Sequence, residues 1–96
     1  MHRLKTLGRL NVWHASEMRD LLVRTLDSES SVEIELSPQE EIDVAGLQLL
    51  VAAQDYVRGR RVQELHLVTP DGSSPSAMLR AGFELADGRV RATNGR

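Results

Sequence analysis

Glu41-Ile42-Asp43-Val44-Ala45-Gly46-Leu47-Gln48-Leu49-Leu50 is the stretch on which the fold turns. A strand-like run, Val32 to Leu36, ends a few residues before it, and a helical pattern opens in it and continues to about Arg58. Asp43 is placed to cap that helix, because its carboxylate can accept hydrogen bonds from the unpaired N–H groups of the first turn. Gly46 falls within that turn, where the missing Cβ lets another segment come close. A strand-to-helix junction of this kind is where α/β proteins usually keep their working surface.

Upstream, Val32-Glu33-Ile34-Glu35-Leu36 alternates with a period of two. A strand buried on both faces would read as continuously apolar. This one predicts a sheet covered by helices on one face and wet on the other. Downstream, at roughly 100° per residue, Gly46, Leu47, Leu50, Ala53 and Val57 form one apolar stripe of the helix, its natural core face. A second stripe, Ala45, Leu49, Ala52 and Tyr56, is left over. It either contacts a neighbouring helix or forms a docking patch for a partner. Gln48 and Asp55 are the polar residues of the remaining face.

Working outward, Leu4–Leu7 and Arg9–Val12 read as two short strands around a turn at Gly8. His14 to Leu26 is helical, with Met18, Leu21, Leu22 and Leu26 on one side. Asp27-Ser28-Glu29-Ser30 ends it. Pro38 marks a loop, since it cannot donate to a sheet ladder. Gly59 closes the central helix, with Arg60 and Arg61 near the negative end of its dipole. Leu65–Val68 is a further strand. Ser74 and Pro75 read as the cap and first residue of a short helix through Leu79, ended by Gly82 before a last strand at Phe83–Leu85. From Ala86 to Arg96 the chain is polar and basic, and a flexible tail is expected. The order is β-β-α-β-α-β-α with a possible final β, in one α/β domain over residues 1–96 whose core spans about 4–85.

The 96 residues carry a formal net charge of −2, which offers no general attraction to nucleic acid or anionic lipid. With Trp13, Tyr56 and Phe83 as the only aromatic residues, there is no base-stacking platform. The chain has no cysteine, so disulfides, thiolate nucleophiles and cysteine-bound metal are excluded. No apolar run reaches the roughly 18 residues of a membrane span, and Met1-His2-Arg3-Leu4-Lys5 does not lead into an apolar signal core. A cytoplasmic protein is expected.

The run Val32-Glu-Ile-Glu-Leu-Ser, a short acidic loop, Ile42-Asp-Val-Ala-Gly-Leu-Gln-Leu-Leu, and then Leu65-His-Leu-Val-Thr-Pro resembles the STAS domain (sulfate transporter and anti-sigma factor antagonist). The resemblance covers roughly Leu7 to Leu85, and its most specific part is the Asp-x-x-Gly-Leu junction after an apolar strand. It implies a small α/β domain with a four- to five-stranded mixed sheet and helices packed on one face. Stand-alone members are docking modules without catalytic activity, often on an anti-sigma factor kinase. In them the residue after the motif aspartate is a serine or threonine, and its phosphorylation breaks the complex by repulsion and desolvation. Here that residue is Val44, which has no hydroxyl, and neither has Ala45. The continuation Gly-Leu-Gln-Leu-Leu is similar to the chemotaxis-associated group.

The resemblance therefore implies a non-enzymatic module docking on an anti-sigma factor kinase, a chemotaxis kinase or an ABC-type ATPase. The expected partner surface is Asp43, Val44, Ala45, Gly46, Gln48, Leu49 and Ala52, and a homodimer is compatible with it. A small STAS subunit of a lipid-transporting ABC system and a nucleotide- or small-ligand-sensing domain are the alternatives. Direct membrane insertion and nucleic-acid binding are not expected. Nor is a cofactor or a metal, since His2, His14 and His66 are scattered without ligand spacing. Asp71-Gly72-Ser73-Ser74 lacks the Gly-rich consensus of a phosphate loop. Ser37, Ser73 and Ser74 are alternative hydroxyls for modification. Glu40 and Glu41 read as solvated loop charge, and no nucleophile–base–orienter set emerges.

Overall fold

A computed structural model describes residues 2–37, 42–59 and 64–93. The elements run β1 (His2–Lys5), α1 (Ala15–Ser28), β2 (Ser31–Glu35), α2 (Val44–Arg58), β3 (Glu64–Val68), α3 (Ser76–Arg80), β4 (Phe83–Ala86) and β5 (Arg89–Ala92). The first three strands form a parallel sheet in the order β1-β2-β3, with Leu4 beside Ile34 and Ile34 beside Leu67. Both βαβ crossovers step in the same direction along the sheet. Crossovers of one hand then place α1 and α2 on the same face.

The burial pattern follows the alternation in sequence. Val32, Ile34 and Leu36 are buried with Leu4 and Leu67, beneath Met18, Leu22 and Leu26 of α1 and Leu47, Leu50 and Ala53 of α2. The other face is charged. There Arg3 Nε lies 2.6 Å from a Glu33 carboxylate oxygen, Lys5 Nζ 4.0 Å from Glu35, and His66 is exposed. Like-facing charges of opposite sign on adjacent strands make a wet face compatible with pairing. The second stripe of α2 divides, with Ala52 exposed and Leu49 against the core. Ala45 is half-buried, and Tyr56 Oη donates to the Asp27 carboxylate of α1.

Three expectations are corrected. The first concerns Arg9–Val12, which is a loop and not a strand. Its backbone is engaged elsewhere: Arg9 N–H donates to the Thr6 carbonyl at 3.1 Å, and the Leu10 carbonyl accepts from Asp43 N–H at 3.3 Å. The second concerns the sheet. It is not four- to five-stranded and mixed, but a three-stranded parallel sheet with a separate antiparallel pair, β4–β5. The pair does not extend the sheet because its turn, not a strand, meets the β3 edge: Leu67 N–H donates to the Gly88 carbonyl at 2.8 Å. Asp87 and Gly88 both have positive φ (54° and 77°), the two-residue geometry whose twist matches a hairpin.

The third concerns the expected tail. Residues 89–92 form β5, and Val90 is only 7% exposed. The Gln54 side chain holds both backbone groups of Val90, accepting from its N–H at 2.6 Å and donating to its carbonyl at 3.3 Å. The polar appearance of this segment comes from Arg89 and Arg91, which face outward on either side of Val90; Arg91 pairs with Glu84 at 2.8 Å. Residues 94–96 lie outside the described residues, as do Pro38, Glu40, Glu41, Arg60 and Arg61. Among the described residues no helix is long and apolar enough to cross a membrane.

Candidate functional site

Asp43 joins three segments. One carboxylate oxygen accepts from Gly46 N–H at 3.0 Å, closing the first turn of α2. The other accepts from Val12 N–H at 2.8 Å, and the Asp43 N–H reaches the Leu10 carbonyl. The aspartate thus caps the helix and also laces the Leu10–Val12 loop onto it. The N–H groups of Gly46 first and Val12 second stabilise the anion and lower its pKa below the ordinary 3.8. A carboxylate so held is an acceptor at neutral pH, with no proton to give.

Gly46 permits this junction. A methyl group there would sit 2.1 Å from the Leu10 carbonyl oxygen, well inside van der Waals contact. Leu10, fully buried, fills the space a side chain would have taken. The glycine, the aspartate and the loop are therefore one packing unit.

The expected partner surface divides in two. Gly46 is buried, Ala45 and Leu49 are half-buried, and Asp43 is committed to its capping bonds. Val44, Gln48 and Ala52 are exposed along one line of α2, and Val44 is 68% exposed at the first helical position. They border an apolar groove of about 420 Å³ that is closed on its far side by Ala81 and Phe83. Leu47 and Val51 form its floor, and Asp55 lies at one end.

The loop laced to Asp43 adds residues that the sequence reading passed over. Val12 is 62% and Trp13 86% exposed. Tryptophan is seldom left so open unless it meets something. The signal was available, since the chain's only tryptophan lies in a short polar connection outside both apolar stripes. Reading Arg9–Val12 as a strand obscured it.

The remaining candidates are apart from this surface. Ser74 does not cap α3; its Oγ accepts from Leu85 N–H at 2.9 Å and ties β4 to the loop. The Asp71 carboxylate accepts from Ser73 N–H at 3.0 Å and Ser73 Oγ at 2.7 Å, so both donors of Ser73 are already used. These bonds, the Ser73 hydroxyl first, lower its pKa. His14 Nδ1 is 3.0 Å from Asn11 Oδ1, His2 Nδ1 is 3.8 Å from Glu29, and His66 Nε2 is 4.0 Å from Glu64. Among the described residues no group of three or more His, Cys, Asp or Glu is gathered in a way that could hold a metal ion. In comparison with known proteins, the chain matches no family model, no curated protein and no solved structure.

Proposed function

We propose that this chain is a non-enzymatic STAS-like docking module, binding a kinase-like or ATPase signalling protein through the start of α2. The observation that carries the reading is Val44. It stands 68% exposed immediately after the capping Asp43, beside an apolar groove, where a phosphorylatable hydroxyl would stand in STAS-type switches. A small α/β fold with α1 and α2 covering one face of the sheet is compatible with such a domain, while the sheet itself is smaller than the mixed one the resemblance implies. The docking surface is Val44, Gln48 and Ala52 on α2 with Val12 and Trp13 from the laced loop. Contact through large exposed apolar side chains around a groove is the usual anatomy of a protein interface. With valine at position 44 the complex is not broken by phosphorylation there.

The test is photocrosslinking from a benzophenone side chain placed at Val44, with Arg24 on α1 as the control position. Capture of one ATP-binding protein from position 44 and not from 24 is the expected result, followed by purification of that partner. Val44→Asp then weakens binding at least about tenfold with an unchanged unfolding midpoint, because an acidic residue in the first helical turn favours the helix. Val44→Ser gains a single phosphate at that position in the presence of the partner and ATP. Phosphate on Ser37 or Ser74 of the unaltered chain, with loss of binding, would overturn the constitutive part of the reading. Indifference of binding to Val44→Asp would remove the surface itself.

A further inference from the structure

At the other end of α2 lies a second cleft, of about 410 Å³, that the docking surface does not use. Three elements meet there: the last turn of α2 supplies Arg58, β3 supplies Glu64, Leu65 and His66, and the start of β5 supplies Arg89. Its volume is within the range of small-ligand sites.

Arg89 is the informative residue. It sits between Gly88, whose carbonyl is held by Leu67 N–H, and Val90, whose N–H and carbonyl are both held by Gln54. Its backbone is therefore fixed at the cleft wall from both sides. Its guanidinium has no ion pair or hydrogen bond among the described residues, whereas Arg91, two positions along the same strand, is paired with Glu84. Arg58 reaches only Asp55, at 3.5 Å between two well-exposed side chains, a contact that competes weakly with a ligand.

The β3 edge adds a backbone donor. Glu64 N–H bonds Ser30, and the Val68 carbonyl takes Leu36 N–H, so the even-numbered residues of β3 face β2. Leu65 and Leu67 face the other way. Leu67 N–H is taken by Gly88, and the N–H of Leu65, a residue of the cleft wall, lies on the same strand edge. Val57 and the Leu65 side chain supply an apolar wall, and Glu64 stands exposed at the rim.

We infer that this cleft binds a small soluble phosphate monoester bearing hydroxyl groups. Two guanidiniums from different elements and a strand-edge N–H line the same cleft, a set of donors that matches the oxygens of a phosphate group. Glu64 repels a ligand that is anionic throughout and accepts from one that carries hydroxyls. The cleft is separate from the groove beside Val44, and its ligand is independent of the partner.

The experiment is an amide NMR titration of the full chain with glycerol phosphate, with glycerol, inorganic phosphate and citrate as comparison probes. Saturable shifts centred on Leu65, His66 and Arg89 are expected with glycerol phosphate, weaker ones with phosphate alone and none with glycerol. Arg89→Gln should weaken binding by about tenfold, the loss of one charge-assisted contact, while Arg24→Gln on α1 leaves it unchanged; both variants keep the unfolding midpoint. Tighter binding of citrate would overturn the choice of phosphate. Absence of saturation by about 10 mM, or an equal loss in Arg24→Gln, would overturn the site.

Discussion

Two residues at the start of α2 carry the junction, and each allows a direct test. In Gly46→Ala the added methyl meets the Leu10 carbonyl at 2.1 Å, and the obstacle is backbone rather than a side chain that can swing away. The expected cost is about 1–3 kcal/mol or more, seen as a fall of roughly 4–8 °C per kcal/mol in the thermal midpoint of a domain this size. Asp43→Ala removes the acceptor of two backbone N–H groups, and a loss of about 0.5–2 kcal/mol is expected from the cap alone. The pH dependence has a definite sign. The folded pKa of Asp43 is below its ordinary 3.8, so below that value the unfolded chain binds the proton more readily. The stabilisation is complete above about pH 4–5 and is lost as pH falls through the folded value. Asp43→Asn cannot titrate and should flatten that acid limb in urea melts followed from pH 6 to pH 2.

At the level of elements, the β4–β5 hairpin tests whether the C-terminal segment belongs to the fold. It pairs along Phe83–Ala86 and Arg89–Ala92, but an isolated two-stranded hairpin is barely stable in water. Its attachment rests on Val90 in the core, the Gly88 contact to β3 and the Gln54 clamp. Gln54→Ala leaves the Val90 N–H and carbonyl without those partners, at about 1–3 kcal/mol for a buried group left unsatisfied. The expected readout is local: hydrogen exchange at Val90 and across β4–β5 accelerates, while that of β2 and β3 changes much less. Uniform acceleration throughout the chain would show that the hairpin and the sheet open as one unit. Helix α2 serves three surfaces through three sides. One packs on the sheet, one meets α1 through Tyr56, and one lines the groove through Val44, Gln48 and Ala52.

Over the whole molecule, the charged sheet face and the apolar groove beside Val44 are kept apart. Arg3, Lys5, Glu33 and Glu35 neutralise one another on the open face, and the exposed apolar side chains beyond the core include Trp13 and Val44 as well as Leu7 and Leu79. A side chain 86% exposed contributes little to folding. Trp13→Ala should therefore leave the thermal midpoint within about 0.5 kcal/mol of the parent in stability terms. In the photocrosslinking assay it should weaken capture of the partner by about 2 kcal/mol or more, the cost of removing a central aromatic anchor. A large loss of stability would instead place Trp13 in the fold. The alternation of Val32–Leu36, the Asp43 cap, the close approach at Gly46 and the core stripe of α2 were all legible in the sequence, because each depends on a local period or a local hydrogen bond. Those features determine an α/β arrangement covered on one face, while the parallel three-stranded sheet in place of the expected mixed one was settled by the tertiary structure. The tertiary structure alone also decided where unperiodic segments go. Arg9–Val12 became a laced loop because its backbone partners lie some thirty positions away at Asp43. The polar C-terminal run became a strand because one inward valine meets one glutamine on α2. Contacts of such long sequence separation leave no period for the chain to display, and both candidate sites are built from them.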